Sequence, residues 1–264
     1  MELKKITCKT ALSNSSLPGL RYSLNPYRGC SHKCAYCYVP NVLRVERERW
    51  GEFVEIRENM PLVLSKELRR KKPGVVGIST VTDPYQPAEK KYKITRYCLE
   101  QLLLHDFPIC IQTKSKLVIR DKDLISRFSN VELMVSIATM DDSERKLLEP
   151  CSSSIKERFE ILEKFSDVKV KKSVFLGPIY PTVTADDISE MVSVLSMFNV
   201  SEIMIDKFHL KPGVLESVKK SLFKKKQLLN SFINNLKDKT CFERQREQLL
   251  KEGKKENIRV TDAF

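Results

Sequence analysis

The sequence contains no apolar run near the ~18 residues that a bilayer-spanning segment needs. Its first residues, Met1-Glu2-Leu3-Lys4-Lys5, also lack the apolar h-region of a secretory signal. Gly/Pro/Ser-rich linkers are few, and there is no short-period repeat. These absences argue against a membrane-spanning, secreted or repeat-built protein. We therefore expect a cytoplasmic protein with no membrane partner.

The composition of the chain is that of a globular protein. Of its 264 residues, 41% are hydrophobic and 31% are charged, which argues against intrinsic disorder. The chain has eight cysteines, but a disulfide scaffold is not expected because a chain of this length buries its own core. A tight cysteine cluster in a reducing compartment instead indicates a metal or iron–sulfur site.

Positive charge is concentrated toward the C-terminus. The net charge is +13, and residues 207–264 contain 15 Lys/Arg against 7 Asp/Glu. A basic segment of this kind predicts contact with nucleic acid or another polyanion. A solvated surface of lysines accounts equally well for the same residues, so both interpretations stay open here.

Short apolar runs alternate with helical patterns along the chain. The predicted strands span residues 21–26, 74–80, 108–113, 131–137, 169–176 and 202–206. The predicted helices span residues 59–71, 95–105, 155–165, 186–198 and 215–236. Six strand-then-helix units imply an α/β fold with a parallel sheet and right-handed crossovers. The sheet is either a partial barrel or an open doubly wound sheet.

Polar residues follow the predicted strands at the point where each strand ends. Both architectures place an active site at the carboxyl ends of the parallel strands, so we expect these residues to lie close together at that end of the sheet. In strand order they are Cys30, Cys34 and Cys37; Thr80, Thr82 and Asp83; Lys114; Ser136; Gly177, Pro178 and Tyr180; and Lys207 and His209.

The first of these groups is a cysteine motif with the spacing C-x3-C-x2-C. Cys30, Cys34 and Cys37 supply three thiolates on one short loop. A [4Fe–4S] cube binds four ligands, so three cysteines leave one iron open for a small molecule with an amino and a carboxylate group. A structural zinc site needs four closed ligands, and His32 within the loop is the available fourth ligand. The motif favours the cluster over zinc.

The cysteine loop after a first strand, with an aromatic residue before its last cysteine, resembles the radical S-adenosylmethionine (SAM) superfamily. More narrowly, the chain resembles the spore photoproduct lyase-like group, also called DNA repair photolyase-like. This resemblance rests on three segments: Asn25-Pro26-Tyr27-Arg28-Gly29-Cys30, Thr82-Asp83-Pro84-Tyr85-Gln86-Pro87 and Glu149-Pro150. It covers roughly residues 20–210.

The resemblance implies a partial (β/α)6 TIM-like barrel of the radical SAM type with a helical C-terminal extension. It divides the chain into an N-terminal extension (1–20), a radical SAM core (21–210) and a basic helical extension (211–264). It also implies a [4Fe–4S] cluster, SAM chelated to the open iron, and an external flavodoxin- or ferredoxin-like electron donor. The reduced cluster cleaves SAM, and a 5′-deoxyadenosyl radical abstracts hydrogen from the substrate.

The family's site residues transfer to matching positions of this sequence. The cluster ligands match Cys30, Cys34 and Cys37, and the aromatic residue that packs near SAM matches Tyr36. The remaining SAM contacts match Thr82 and Asp83 for the amino group, Lys114 for the carboxylate, Ser136 for the ribose and Gly177 for the adenine. A carboxylate at Asp83 suits an ammonium group.

The chain departs from spore photoproduct lyases at one position. Those enzymes carry a cysteine just before the acidic segment of the second strand, and it returns hydrogen to the product radical. This sequence has Thr80 there, and a threonine O–H bond is too strong to give up hydrogen readily. Tyr38 matches a tyrosine of the hydrogen-transfer relay. The catalytic candidates are therefore Tyr38 and Thr80.

Three functions are compatible with these features. The first is a lyase-like radical SAM enzyme that acts on nucleic acid, which the group and the basic C-terminal segment favour. The second is a radical SAM enzyme that modifies a small metabolite, a peptide or a protein. The third is a non-catalytic iron–sulfur or zinc binding module, which SAM cleavage would exclude.

Overall fold

The computed structural model describes residues 1–263. The strands, in chain order, are β1 (Glu2–Ile6), β2 (Leu12–Asn14), β3 (Tyr22–Leu24), β4 (Tyr27–Arg28), β5 (Phe53–Arg57), β6 (Val76–Ile78), β7 (Ile109–Thr113), β8 (Val131–Ser136), β9 (Lys171–Leu176), β10 (Glu202–Ile205) and β11 (Arg259–Asp262). The helices are α1 (Val39–Leu43), α2 (Met60–Leu68), α3 (Pro87–Tyr92), α4 (Ile94–Leu104), α5 (Lys122–Ile125), α6 (Asp142–Leu148), α7 (Ile155–Lys164), α8 (Ala185–Met197), α9 (Val214–Leu222), α10 (Lys226–Lys237) and α11 (Cys241–Lys255). Short 3-10 helices cover Arg47–Arg49 and Lys116–Asp121. Within residues 1–263, none of the helices has both the length and the apolar character needed to span a bilayer.

The larger sheet is a run of parallel strands in the order β3-β6-β7-β8-β9-β10-β11, with β2 antiparallel to β3 at one edge. Its pairing confirms the six predicted strands, which are β3 and β6 to β10. Their carboxyl ends lie side by side, because Leu24 pairs with Ile78 and Ser136 with Phe175. The parallel strands follow chain order without the reversal of a doubly wound sheet, and with their helices they form the partial barrel that the family resemblance implies.

Strands β6 and β8 are buried on both faces, as expected for parallel strands covered by helices. In β8, Leu133 and Val135 are both fully buried, and only one residue of the strand is partly exposed. This explains why the sequence shows continuous apolar runs there and not an alternating pattern. One large apolar core therefore supports the carboxyl edge of the sheet.

A smaller sheet, β1-β5-β4, leads the chain into the cysteine loop. β4 pairs with β5 in antiparallel fashion, and Arg28 forms a 3.0 Å ion pair with Glu55 across it. Gly29 follows β4 with a φ of 87°, and a Cβ there would lie 2.5 Å from the carbonyl oxygen of Phe53. Only glycine fits this turn, so the smaller sheet fixes where the loop begins.

Local side-chain chemistry sets the starts of two predicted helices. Ser154 and Glu157 form a capping box at α7, and Thr184 and Asp187 form one at α8. Asp187 also lies in the acidic first turn of α8, where negative charge is favoured. Both helices match their predicted spans to within about a residue.

The C-terminal segment differs from its prediction as one long helix over 215–236. The chain leaves helical geometry at Lys225, with φ −115° and ψ 70°, and the two helices α9 and α10 pack against each other. Val218 is buried on α9 and Phe232 on α10, so tertiary packing overrides the continuous apolar periodicity. The segment also contributes β11, which pairs in parallel with β10. β11 was missed because it is a short, partly exposed edge strand.

The division into residues 1–20, 21–210 and 211–264 stays a prediction. In the structure, the N-terminal segment adds β1 to the smaller sheet and β2 to the larger one. The C-terminal segment adds β11 and three helices. Both flanking segments are thus paired with the strands of the core.

The packing of α10 gives a stability prediction with a matched control. Phe232 is fully buried, whereas Phe223, at the start of the α9–α10 connection, is 70% exposed. Phe232→Ala should lower the free energy of unfolding by roughly 3–5 kcal/mol, because it opens a cavity. Phe223→Ala should change it by less than about 0.5 kcal/mol. Urea denaturation measures both, and equal losses would contradict the packing of α10.

Candidate active site

The cysteine loop runs from Gly29 to Tyr38 at the carboxyl edge of the larger sheet. Cys30 is buried, and Cys34 and Cys37 are partly buried. The backbone N–H of Ala35, in the middle of the loop, donates to the carbonyl of Leu148 at 2.8 Å. This bond ties the loop to the end of α6, so the three thiols are held on a fixed backbone.

The segment after β6 holds the start of the loop. The Thr82 hydroxyl donates to the carbonyl of Gly29 at 2.7 Å. The Gln86 amide accepts from the backbone N–H of Ser31 at 3.0 Å and donates to Gly29 at 3.2 Å. Thr82 therefore positions the cysteine loop, and Gln86, which was not a candidate, does the same. The position of Gln86 in the Thr-Asp-Pro-Tyr-Gln-Pro motif is the sequence feature that could have identified it as a site residue.

Asp83 joins the ends of β6 and β7. Its Oδ1 accepts from the Thr113 hydroxyl at 2.8 Å and from the Tyr85 backbone N–H at 2.8 Å. Its Oδ2 accepts from the backbone N–H of Lys114 at 2.7 Å, and Nδ1 of His32 lies 3.5 Å away. The carboxylate is thus already engaged within the protein, which supports a positioning role. A direct contact with the SAM amino group stays a prediction.

Glu149 and Arg158 form a fully buried ion pair beneath the loop. The hydroxyl of Tyr36 donates to Glu149 Oε1, and Arg158 also donates to the carbonyl of Ser136 at 2.8 Å. Burial alone would raise the pKa of Glu149, but the charges of Arg158 and Lys114 and the hydrogen bonds outweigh it and hold the pKa at about 2. The carboxylate therefore stays charged and keeps Tyr36 in place.

Lys114 is the one cation among the predicted SAM contacts, and its ammonium group has no hydrogen-bond or ion-pair partner within residues 1–263. Its Nζ lies 6.0 Å from the centre of the Tyr36 ring, within cation–π range. Its charge also acts on Glu149, Cys34 and Cys37. Lys114, Tyr36, Asp83 and the cysteine loop are therefore brought together, as the strand order predicted.

An aromatic cluster lies beside the loop. Tyr36 makes edge contacts with Tyr180 at 5.7 Å and with Phe208 at 6.2 Å between ring centres. Phe232 of α10 packs against Tyr180 at 6.4 Å and against Phe208 at 5.4 Å. The C-terminal segment thus forms part of the wall next to the cysteine loop.

The remaining candidates occupy different surroundings. Tyr38 is 43% exposed, and burial together with the charges of Cys37 and Asp206 raises its pKa. Ser136 is buried and its hydroxyl accepts from Gln112 at 3.3 Å. Thr80 accepts from the Asn25 amide at 3.4 Å. Gly177 follows β9 at a place where a Cβ would lie 2.3 Å from the Phe175 ring.

Besides Gln86, the sequence reasoning missed two more residues that contact the cysteine loop. Arg47 donates to the carbonyl of Cys37 at 2.9 Å. Trp50 is the chain's single tryptophan, is buried, and packs with Cys30 and Val39. The singular tryptophan was a usable signal, whereas nothing in the sequence distinguished Arg47 from its neighbouring arginines.

The three thiols fit an iron–sulfur cluster. Burial, with a contribution from the Asp83 charge, raises the pKa of Cys30 to about 12, and burial also raises the pKa of Cys34 and Cys37. Thiolates in this loop need compensating cations, which bound iron provides. Within residues 1–263, no three His, Cys, Asp or Glu side chains converge on one ion, and a cube does not require it because each cysteine binds a different iron.

Residues 24–195 match the model of the Radical SAM superfamily. An uncharacterized protein of Methanocaldococcus jannaschii is 33% identical over 183 residues, which is 69% of this chain and 69% of the relative. An uncharacterized protein of Acidianus two-tailed virus is 30% identical over 220 residues, covering 77% of this chain and 72% of the relative. This chain belongs to the radical SAM superfamily and is a radical SAM enzyme.

Solved structures share the fold. A spore photoproduct lyase variant with bound AdoMet and dinucleoside spore photoproduct superposes with a TM-score of 0.71 and 12% identity. The match covers 99% of this chain and 82% of that chain. At this identity the likeness shows the fold, which is the partial barrel of radical SAM enzymes.

The buried carboxylate of Glu149 gives a pH prediction. Its folded pKa of about 2 lies below the usual value of 4.5, so its stabilisation is complete above pH 4.5 and is lost as the pH falls toward 2. The difference in unfolding free energy between the metal-free wild type and Glu149→Gln reports this stabilisation. It should decrease by roughly 2 kcal/mol when the pH is lowered from about 6 to about 3. Denaturant titrations at both pH values measure it, and a constant difference would contradict the pKa.

Proposed function

We propose that Cys30, Cys34 and Cys37 hold a [4Fe–4S] cluster whose open iron binds SAM. The observation that carries this proposal is the loop of three buried or partly buried thiols at the carboxyl edge of the parallel sheet. When bound, the cluster and SAM together supply reductive cleavage of the sulfonium and so a radical that abstracts hydrogen. The electron comes from an external flavodoxin- or ferredoxin-like donor.

The residues around the loop bind and orient SAM. Lys114 offers its ammonium to the SAM carboxylate, and the hydrogen bonds of Asp83 fix the backbone from which Lys114 projects. Tyr36, held by Glu149, provides a flat apolar wall. The Ser136 hydroxyl accompanies the ribose, and the backbone at Gly177, which packs against the Phe175 ring, faces the adenine. Phe208 and Phe232 help to exclude water from this side of the loop.

The substrate we propose is a nucleic acid. The basic C-terminal segment supports this, as does the solved neighbour whose own ligand is a dinucleoside photoproduct. Because Thr80 cannot serve as a thiol donor, the product radical must be quenched by another route. The routes are return of hydrogen from 5′-deoxyadenosine, a hydrogen relay through Tyr38, or release of an oxidised or rearranged product, for which the oxidised cluster would accept the electron.

The cluster is tested by anaerobic reconstitution. The wild type should take up about four iron atoms per chain and convert SAM to 5′-deoxyadenosine when reduced. Replacing Cys30, Cys34 and Cys37 by alanine should abolish both. Cys151→Ala, at an exposed cysteine, should preserve both. Iron analysis, EPR and chromatography measure these results, and stoichiometric zinc without iron uptake would refute the cluster.

The SAM contact is tested at Lys114. Lys114→Met should weaken SAM binding by roughly tenfold or more, because it removes one charge-assisted contact and keeps the backbone bond to Asp83. Lys116→Met is the control, since Lys116 pairs with Glu160 outside the site. Equilibrium binding of SAM to the reconstituted proteins gives both dissociation constants. Equal affinities for the two variants would show that Lys114 does not contact SAM.

A further inference from the structure

An open cleft lies between α9 and α10, outside the site described above. It has a volume of about 740 Å³. Its lining combines apolar, amide and basic side chains, namely Lys219, Lys220, Phe223, Leu229, Asn230, Ile233, Asn234 and Lys237. Among the described residues, this lining contains three lysines and no acidic side chain. The cleft is therefore suited to a polyanion that also carries flat apolar groups.

Phe223 is the aromatic group of the cleft. It is 70% exposed, although it follows directly on the buried Leu222 of α9. A phenylalanine that packs against nothing on one face presents a surface on which an unpaired base can stack. Leu229 and Ile233 extend this surface along α10.

The chain around Phe223 is basic, with no acidic residue between Glu216 and Asp238. Lys224 and Lys225 continue the basic character from Lys220, on the exposed connection between the helices. The nearest acidic residues in sequence are Glu216, in the first turn of α9, and Asp238, which pairs with Arg244 at 2.7 Å. Lysines spaced around an aromatic ring match phosphates spaced around a base.

Two amides give the cleft hydrogen-bonding capacity. Asn230 and Asn234 are four residues apart on α10 and so lie on one face of the helix, and both are exposed. An amide both donates and accepts, so it can pair with the edge of a base that no complementary strand occupies. A duplex hides those edges and stacks its bases internally, so the cleft favours a single strand.

The same helix connects the cleft to the active site. Phe232 of α10 belongs to the aromatic cluster around Tyr36, whereas Ile233 lines the cleft. Consecutive residues project about 100° apart around a helix, so the cleft lies next to the aromatic cluster on α10.

We propose that the α9–α10 cleft binds single-stranded nucleic acid, with a base stacked on Phe223 and phosphates on Lys219, Lys220 and Lys237. This inference deepens the proposed function, on whose nucleic-acid substrate it rests. It adds the docking surface and the unpaired state of the strand. Because binding here does not involve the cysteine loop, the experiments distinguish a failure of the cleft from a failure of the cluster chemistry.

Fluorescence anisotropy of a labelled oligothymidine of about 12 nucleotides tests the cleft with the full chain, without SAM. Phe223→Ala should weaken binding at least fivefold, and Phe223→Trp should restore it, because tryptophan also stacks. Tyr97→Ala, at a partly exposed aromatic residue of α4, is the control and should leave binding unchanged.

The electrostatic part is tested by the salt dependence of the affinity. Changing Lys219, Lys220 and Lys237 together to glutamine should reduce the slope of log K against log salt by roughly 2. Changing Lys90, Lys91 and Lys164 to glutamine alters the net charge equally on α3 and α7 and should leave the slope unchanged.

The competitors decide whether the occupant is a single strand. A duplex of the same length, polyglutamate and phosphatidylserine vesicles should all compete poorly. Equal binding of any of them would overturn the proposal and leave a general polyanion, acidic-peptide or membrane surface. Unchanged affinity in Phe223→Ala would overturn it as well. If the reconstituted wild type binds the oligonucleotide but forms no 5′-deoxyadenosine, the proposed function alone is refuted.

Discussion

The site depends on the buried ion pair between Glu149 and Arg158. A buried charge is tolerated only when it is paired and hydrogen-bonded, and here both partners are. Arg158 ties α7 to the end of β8 through Ser136, while Glu149 receives the hydroxyl of Tyr36 from the cysteine loop. One interaction therefore sets the position of a strand end, a helix and the loop. Removing either partner would leave the other as an uncompensated charge in the core.

Asp83 and Gln86 complete this arrangement from the opposite end of the loop. Asp83 locks β6 to β7, and Gln86 fixes the backbone of Gly29 and Ser31. The motif that resembles the photolyase-like group thus acts mainly through hydrogen bonds within the protein. Its residues determine where the thiols and the Lys114 side chain stand relative to each other. The thiols and the Lys114 side chain therefore do not have to move into position for the reaction.

The chain pattern predicted the six parallel strands, the cysteine loop and the convergence of Lys114 with it, because these follow from local apolar runs and from strand order. It did not predict the break at Lys225, since the apolar periodicity is continuous there and only packing divides the helix. The hydrogen bonds to the Asp83 carboxylate could not be predicted either, because their donors come from a separate segment of the chain. Arg47 was missed for the same reason, since its contact with Cys37 depends on the turn after α1.

The burial of Trp50 against Cys30 has a spectroscopic consequence. Because the chain has a single tryptophan, its indole emission comes from one place only, the wall of the cysteine loop. The proposed iron–sulfur cluster would lie beside the indole and would accept its excitation energy. The tryptophan emission would then report whether the cysteine loop is occupied.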